Sequence, residues 1–196
     1  MGKLLDSVVV LGHFVFYLFL TVLCFYRIIA DSAAGGFTED IICTLRPVDI
    51  AGNSLAPVVA DGGTVMMYPA NCSGSAQTGD LVVFRSGAHK MPIIKQVRGV
   101  AGDTFAMRGD GRIILNGDVL RNALGQPYIL SAGRSKMIAL YERDFDGVIP
   151  LDAYLVLGTM TGGGLDSTRL GLISHRDVVG VVRMGDGAQA ASSASP

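Results

Sequence analysis

The sequence predicts a mainly β domain behind one N-terminal transmembrane helix. Three observations predict it: an uncharged apolar stretch near the N-terminus, short apolar runs of strand length after it, and glycine-rich reversals between those runs. A chain of 196 residues is long enough for one anchored domain with its own core, and short for two. With 49% hydrophobic residues and 26 glycines, the composition fits a turn-rich β protein better than a helical bundle.

The predicted transmembrane helix covers residues 7–26, which carry no formal charge. A helix needs about 20 such residues to cross a hydrocarbon core roughly 30 Å thick. Lys3 precedes the segment and Arg27 follows it, so the charge bias toward a cytoplasmic N-terminus is slight. A cleaved secretory signal is the alternative, because small residues follow the stretch. The stretch exceeds the roughly 7–15 residues of a signal core, which favours a retained anchor within residues 1–30.

The region after the anchor predicts strands rather than helices. Its apolar runs are short and lie at 64–68, 80–85, 93–100 and 151–158. Residues 105–120 contain two reversals, one of them the hairpin signal Asn116-Gly117, which predicts a β-meander. These elements form a predicted β-rich domain over residues 31–187. Residues 188–196 are small and polar without apolar periodicity, which predicts a disordered tail.

Charge and cysteine usage narrow the possible partners. The net charge of −1, the isoelectric point near 6.3 and the lack of a basic run argue against a nucleic-acid partner. The three histidines and three cysteines have no metal-ligand spacing, so they predict no metal site of their own. Cys43 and Cys72 both fall in the predicted external domain. A disulfide between them and two free buried thiols are both consistent with the sequence.

Ser54 and Lys95 are the candidate catalytic pair. Ser54 stands in the turn Gly-Asn-Ser-Leu-Ala-Pro at 52–57, and Lys95 stands on the third apolar run. Strand alternation puts Ile93, Lys95 and Val97 on one apolar face. Burial there disfavours the ammonium form and lowers the lysine pKa, so that the amine accepts the proton of a serine hydroxyl. The alternative interpretation is a turn-forming serine and a lysine that snorkels at a sheet edge.

Five ordered segments resemble motifs of the type I signal peptidases, which are membrane-anchored serine peptidases with a Ser/Lys dyad. The turn at 52–57 is similar to the family's nucleophile motif of Gly, any residue, Ser, Met, any residue and Pro, with leucine in place of methionine. Residues 79–84 resemble the family's Gly-Asp strand, and residues 95–103 resemble the motif that begins with the general-base lysine. Residues 114–117 resemble the hairpin that follows, and residues 158–171 resemble the family's last motif.

The resemblance implies a membrane-bound serine endopeptidase, signal peptidase I, that removes signal peptides from exported precursor proteins. It assigns Ser54 as the nucleophile and Lys95 as the general base, with the backbone N–H of Ser54 in the oxyanion hole. It also implies one pass through the cytoplasmic membrane, contact with membrane lipid, an extracytoplasmic catalytic domain, and a substrate strand with small residues at positions −1 and −3. Residues that would support the site are Asn53, Asp166, Ser167 and Arg169, and the resemblance implies no metal or organic cofactor.

The last motif differs from the family pattern at three places. Gly158-Thr159-Met160 replaces the usual Gly-Asp-Asn, and Arg169 comes one position later than usual. Gly164 stands where family members commonly carry a serine whose hydroxyl orients the lysine amine. The candidates to replace that hydroxyl are Thr159, Thr161 and Ser167.

Two other functions fit the same residues. A dedicated maturation peptidase, similar to those of conjugative pilus systems, would process one or a few partner subunits. A catalytically impaired relative would bind peptides without cutting them. Gly52 bears on this second alternative, because it stands where some family members carry a serine that donates to the oxyanion. The loss of one such donor typically lowers the rate about 10²- to 10³-fold.

Overall fold

The computed structural model describes residues 43–87, 89–160 and 164–184, and this part of the chain is mainly β. Its strands are β1 Arg46–Asp49, β2 Thr64–Pro69, β3 Leu81–Ser86, β4 His89–Gly99, β5 Phe105–Met107, β6 Ile113–Leu115, β7 Asp118–Val119, β8 Ala153–Leu157, β9 Ile173–Ser174 and β10 Val178–Val182. The helices are α1 Ala70–Ser73, α2 Ala132–Asp144 and α3 Ser167–Leu170, with 3-10 turns at Asn53–Leu55 and His175–Asp177.

The described strands form two antiparallel sheets. The seven-stranded sheet has the order β1-β2-β10-β3-β4-β8-β9, and the three-stranded sheet has the order β5-β6-β7. The four predicted apolar runs correspond to β2, β3, β4 and β8, and the predicted meander corresponds to β5 through β7. Asn116 and Gly117 both have positive φ, 51° and 87°, as the predicted reversal requires. The prediction of a mainly β domain is confirmed.

Strands β1, β9 and β10 and the three helices were not predicted. Strand β10 lies inside the large sheet between β2 and β3, although it contains Gly180. A Cβ at Gly180 would lie 2.5 Å from the Tyr68 carbonyl oxygen, so only glycine allows this approach of two backbones. Helix α2 buries Ile138 as its one buried residue, so it lacks the apolar stripe by which a helix is recognised in a sequence.

Two predicted segments, the anchor at 7–26 and the tail at 188–196, lie outside the described residues. Within residues 43–87, 89–160 and 164–184, no helix is long and apolar enough to cross a membrane. The structure therefore describes only the part of the chain that was predicted to form the β-rich domain.

Cys43 and Cys72 form a disulfide, with their Cα atoms 5.6 Å apart. Of the two alternatives that the sequence left open, the structure shows the bonded pair. The bond ties the segment before β1 to helix α1 and closes a loop that contains the Ser54 turn.

Strand β3 lies within the large sheet, and its alternating side chains enter two different core clusters. Leu81 and Val83 pack in a cluster that also contains Leu55, the residue after Ser54. Val82 and Phe84 pack in a second cluster with strands β4 and β8. Strand β3 thus lies between the cluster that holds the Ser54 turn and the cluster that buries β4.

Candidate active site

The turn that carries Ser54 is fixed from both ends. Ser54 lies in the 3-10 turn Asn53–Leu55, between β1 and β2. Gly52 precedes the turn with φ of 90°, a conformation that favours glycine, and its N–H donates to Asp61 Oδ1 at 2.6 Å. Leu55 is fully buried in the core. The Ser54 hydroxyl is therefore held at a half-buried position by an anchored backbone.

Lys95 lies on the buried face of β4, as strand alternation predicts. Ile93, Lys95 and Val97 are buried, while Gln96 and Arg98 between and beyond them are half-buried. The Lys95 Nζ atom lies 2.7 Å from Ser54 Oγ and donates to the Ile94 carbonyl oxygen at 2.9 Å. The structure brings the predicted pair into direct contact across 41 positions of sequence.

Burial controls the charge of this amine. Lys95 is only 4% exposed, and its loss of hydration lowers the pKa of its ammonium group below the ordinary value of 10.5. The negative charge of Asp166 acts in the opposite direction and raises that pKa, but by less than burial lowers it. A buried amine at hydrogen-bond distance from a serine hydroxyl has the geometry and the basicity of a general base for a serine nucleophile.

Thr159 holds the Ser54 turn rather than the lysine. It follows β8 and is fully buried. Its N–H donates to the Ser54 carbonyl oxygen at 2.9 Å, and its hydroxyl donates to the Ala56 carbonyl oxygen at 2.5 Å. Thr159 was one of the candidates to orient the Lys95 amine, but its hydroxyl donates instead to the main-chain carbonyls of Ser54 and Ala56.

Asp166 is held by Arg134 and Thr168. Its carboxylate is buried, caps α3 by accepting the N–H of Thr168 at 3.0 Å, and also accepts the Thr168 hydroxyl. Arg134, on α2, donates from Nη2 to both carboxylate oxygens at 3.2 and 3.3 Å, and from Nε to Thr168 Oγ1 at 2.6 Å. Arg169 lies exposed on α3, and in the described part of the chain Asp166 makes its ion pair with Arg134.

The remaining predicted residues lie around this centre. Ser167 is fully buried, and its Oγ accepts the N–H of Val156 at 2.9 Å, which fixes α3 to β8. Asn53 is exposed at the start of the Ser54 turn. A Cβ at Gly164 would lie 3.6 Å from Lys95 Nζ, so this position faces the amine but offers it no hydroxyl. Thr161 lies outside the described residues.

Sequence reasoning missed Arg134 and Ile94. Arg134 belongs to the unpredicted helix α2, and the available signal was Ser131, a residue type favoured at helix starts, followed by good helix formers. Ile94 contributes a main-chain carbonyl, which no side-chain pattern reveals. In residues 43–87, 89–160 and 164–184, no group of three or more His, Cys, Asp or Glu side chains is placed to hold a metal ion.

Known proteins resemble this chain over most of its length. The family model described as signal peptidase, peptidase S26, matches residues 15–185. Signal peptidase I of Bacillus amyloliquefaciens is 28% identical over 140 residues, covering 69% of this chain and 70% of that protein. Signal peptidase I of Bacillus licheniformis is 29% identical over 141 residues, covering 69% and 73%. A solved signal peptidase I from Enterococcus faecalis V583 is 21% identical with a TM-score of 0.43, covering 57% of this chain and 99% of that one.

Proposed function

This chain belongs to the signal peptidase family, peptidase S26, and on that premise we propose that it is a signal peptidase I, a serine endopeptidase that removes signal peptides from exported precursor proteins. The observation that carries the proposal is the 2.7 Å contact between Lys95 Nζ and Ser54 Oγ. It joins the hydroxyl of a fixed turn to an amine whose pKa is lowered by burial. These two groups are the nucleophile and the general base that a serine peptidase needs.

The mechanism follows from that contact. The free amine of Lys95 takes the hydroxyl proton of Ser54 as Oγ attacks the scissile carbonyl carbon. The resulting ammonium gives this proton to the leaving amine, and the carbonyl carbon stays bound to Oγ as an ester. A water molecule then gives a proton to the same amine as it attacks the ester, and Oγ leaves with a proton when the new carboxyl end is released.

The oxyanion of each tetrahedral intermediate would lie at the start of the 3-10 turn. The first N–H groups of such a turn have no acceptor within the turn itself, which supports a role for the N–H of Ser54. Asn53 is exposed beside it and supplies a second candidate donor. Thr159 contributes by fixing the carbonyl groups of Ser54 and Ala56, so that the turn keeps its shape during attack.

The substrate would bind as a strand along β4. Among the described residues, β8 pairs with β4 from Gln96 to Gly99, which leaves residues 89–95 without a strand on that side. An extended peptide added to this edge would run past Lys95 at its end. The family resemblance places small side chains of the substrate at positions −1 and −3.

We place the catalytic domain, residues 31–187, on the outer side of the cytoplasmic membrane, behind a single anchor within residues 1–30 and ahead of a disordered tail at 188–196. Residues 7–26 are long enough and apolar enough to span. The Cys43–Cys72 disulfide supports the location, because such bonds persist in oxidising compartments and are rare in the cytosol. The anchor would keep the domain at the lipid surface where exported precursors emerge.

The relatives named above are signal peptidases I, and no observation on this chain favours a dedicated pilus-type maturation peptidase. The contact between Ser54 and Lys95 argues equally against a relative that only binds peptides. The test is site preference: purified enzyme in detergent micelles is given a precursor with an Ala-x-Ala site and a matched precursor with leucine at position −1. Cutting after Ala-x-Ala alone is expected, and no cutting of either precursor would contradict the proposal.

A further inference from the structure

The groups around Lys95 include one anion, and that anion has its own cation. Asp166 is 2% exposed, and its charge raises the pKa of Lys95. Arg134 reaches it from α2, an element that packs against α3 and is separate from the strand that carries Lys95. The side chain of Arg134 is itself only 15% exposed, so water screens this ion pair weakly.

Given the proposed function, on which this inference rests, we propose that Arg134 is a positioning residue that neutralises Asp166 and thereby keeps Lys95 a free amine available to Ser54. Arg134 lies on α2, whereas Lys95 lies on β4. It acts through Asp166, which it holds by both carboxylate oxygens, and through the Thr168 hydroxyl.

The sign of the effect follows from the charges. If Arg134 loses its charge, Asp166 loses the cation that pairs with it among the described residues, and its carboxylate still acts on the Lys95 ammonium. Removing the proton from Lys95 would then leave the buried Asp166 carboxylate without a compensating charge, which costs free energy. Deprotonation of the amine therefore requires a higher pH when Arg134 is neutral, and a lower pH when Asp166 is neutral.

The other titratable groups near this network are Tyr128 and Arg98. Asp166 and Arg98 both act on the Tyr128 phenol, but burial is the largest influence and raises the pKa of Tyr128 above 10.0. Tyr128 thus stays neutral over the range in which a lysine of lowered pKa titrates. Arg98 lies over the Tyr128 ring, with its guanidinium carbon 5.8 Å from the ring centre.

The inference is tested by measuring the pKa of Lys95 directly. The chain has four lysines, at positions 3, 90, 95 and 136, so full-length protein labelled with ¹³C at lysine Cε gives few resonances to follow against pH in micelles. The Lys95 signal is identified by its loss in Lys95→Met. The variants are Arg134→Gln, which keeps a donor without charge, Arg134→Met, which keeps the apolar stem, and Arg134→Lys, which keeps the charge.

The midpoint of Lys95 should move to higher pH in both neutral variants and stay near wild type in Arg134→Lys. It should move to lower pH in Asp166→Asn, and adding Arg134→Gln to Asp166→Asn should return it toward wild type, because both charges of the pair are then gone. Arg143→Met is the matched control, because this exposed arginine lies on the same helix and pairs with Asp144. An unmoved midpoint in both neutral variants, or a double variant whose midpoint stays with that of Asp166→Asn, would overturn the inference.

A parallel measurement separates this inference from the proposed function. The acid limb of kcat/KM for precursor cleavage should follow the Lys95 midpoint through the same variants, so that activity at a pH on that limb falls in Arg134→Gln. A merely structural role would lower activity at all pH values without moving the limb. If wild type cleaves no precursor, the proposed function fails, while the resonance of Lys95 still reports whether Arg134 sets its charge.

Discussion

Replacing Thr159 with valine tests whether the Thr159 clamp, the hydrogen bonds by which Thr159 holds the carbonyls of Ser54 and Ala56, contributes to stability and activity. Valine has nearly the shape of threonine, so the change removes the hydroxyl that donates to the Ala56 carbonyl and leaves the N–H bond to Ser54 in place. The Ala56 carbonyl is only part-buried, so water replaces the lost donor in part and the cost lies at the low end of the range for a buried acceptor. An unsatisfied buried acceptor costs about 1–3 kcal/mol. At about 2–4 °C per kcal/mol for a domain of this size, Tm should fall by a few degrees.

Activity should fall further than stability alone explains. The Ala56 carbonyl lies two positions after Ser54, and a displacement of the nucleophile by about 1 Å can cost about 10²-fold in rate. The assay is precursor cleavage at a temperature well below either Tm, alongside thermal unfolding by circular dichroism. Thr159→Ser is the matched control because it keeps the hydroxyl and should retain most activity. If Thr159→Val matched Thr159→Ser in both Tm and kcat/KM, the reasoning about the clamp would be refuted.

Three further predictions concern stability. Lys95→Met should be more stable than wild type at neutral pH, because burial lowers the folded-state pKa of Lys95 below 10.5 and so disfavours its ammonium form. Between the folded-state pKa and 10.5 the unfolded wild-type chain binds more protons than the folded one, so wild type gains stability as pH rises. The advantage of the variant in urea titrations should therefore shrink as pH approaches 10.5. Replacing Cys43 and Cys72 together with serine should lower the free energy of unfolding by about 3–4 kcal/mol, as expected for a closed loop with a separation of 29, and a loss below about 1 kcal/mol in urea would contradict it. Gly164→Ala should lose about 1–3 kcal/mol because φ there is 98°, and an unchanged Tm would show that the strain is absent.

Four strands of the large sheet, β2, β3, β4 and β8, were predictable because local pattern decides them. The alternation of Ile93, Lys95 and Val97 puts the lysine on the apolar face of its run, while the family resemblance, not the pattern, assigned its role with Ser54. The reversal at Asn116-Gly117 depends only on two residues that tolerate positive φ. In both cases the information lies within a few residues of chain.

The groups that tune the pair were not predictable, because they meet only in the folded chain. The resemblance to a known motif directed attention to Arg169, yet the cation beside Asp166 is Arg134, 32 positions away on a helix with little apolar periodicity. The carbonyl of Ile94 and the clamp from Thr159 involve main-chain atoms, which leave no mark on residue type. Whether Cys43 and Cys72 bond likewise depends on a distance that only the fold sets.

The most direct test of the central claim is cleavage of an Ala-x-Ala precursor in detergent micelles by wild type, Ser54→Ala, Lys95→Ala and the double variant, each checked for intact folding. If Ser54 and Lys95 act as one nucleophile and base, either single replacement should abolish site-specific cutting and the double should be little worse than either. Substantial cutting by either single variant, or losses that multiply in the double, would contradict the dyad.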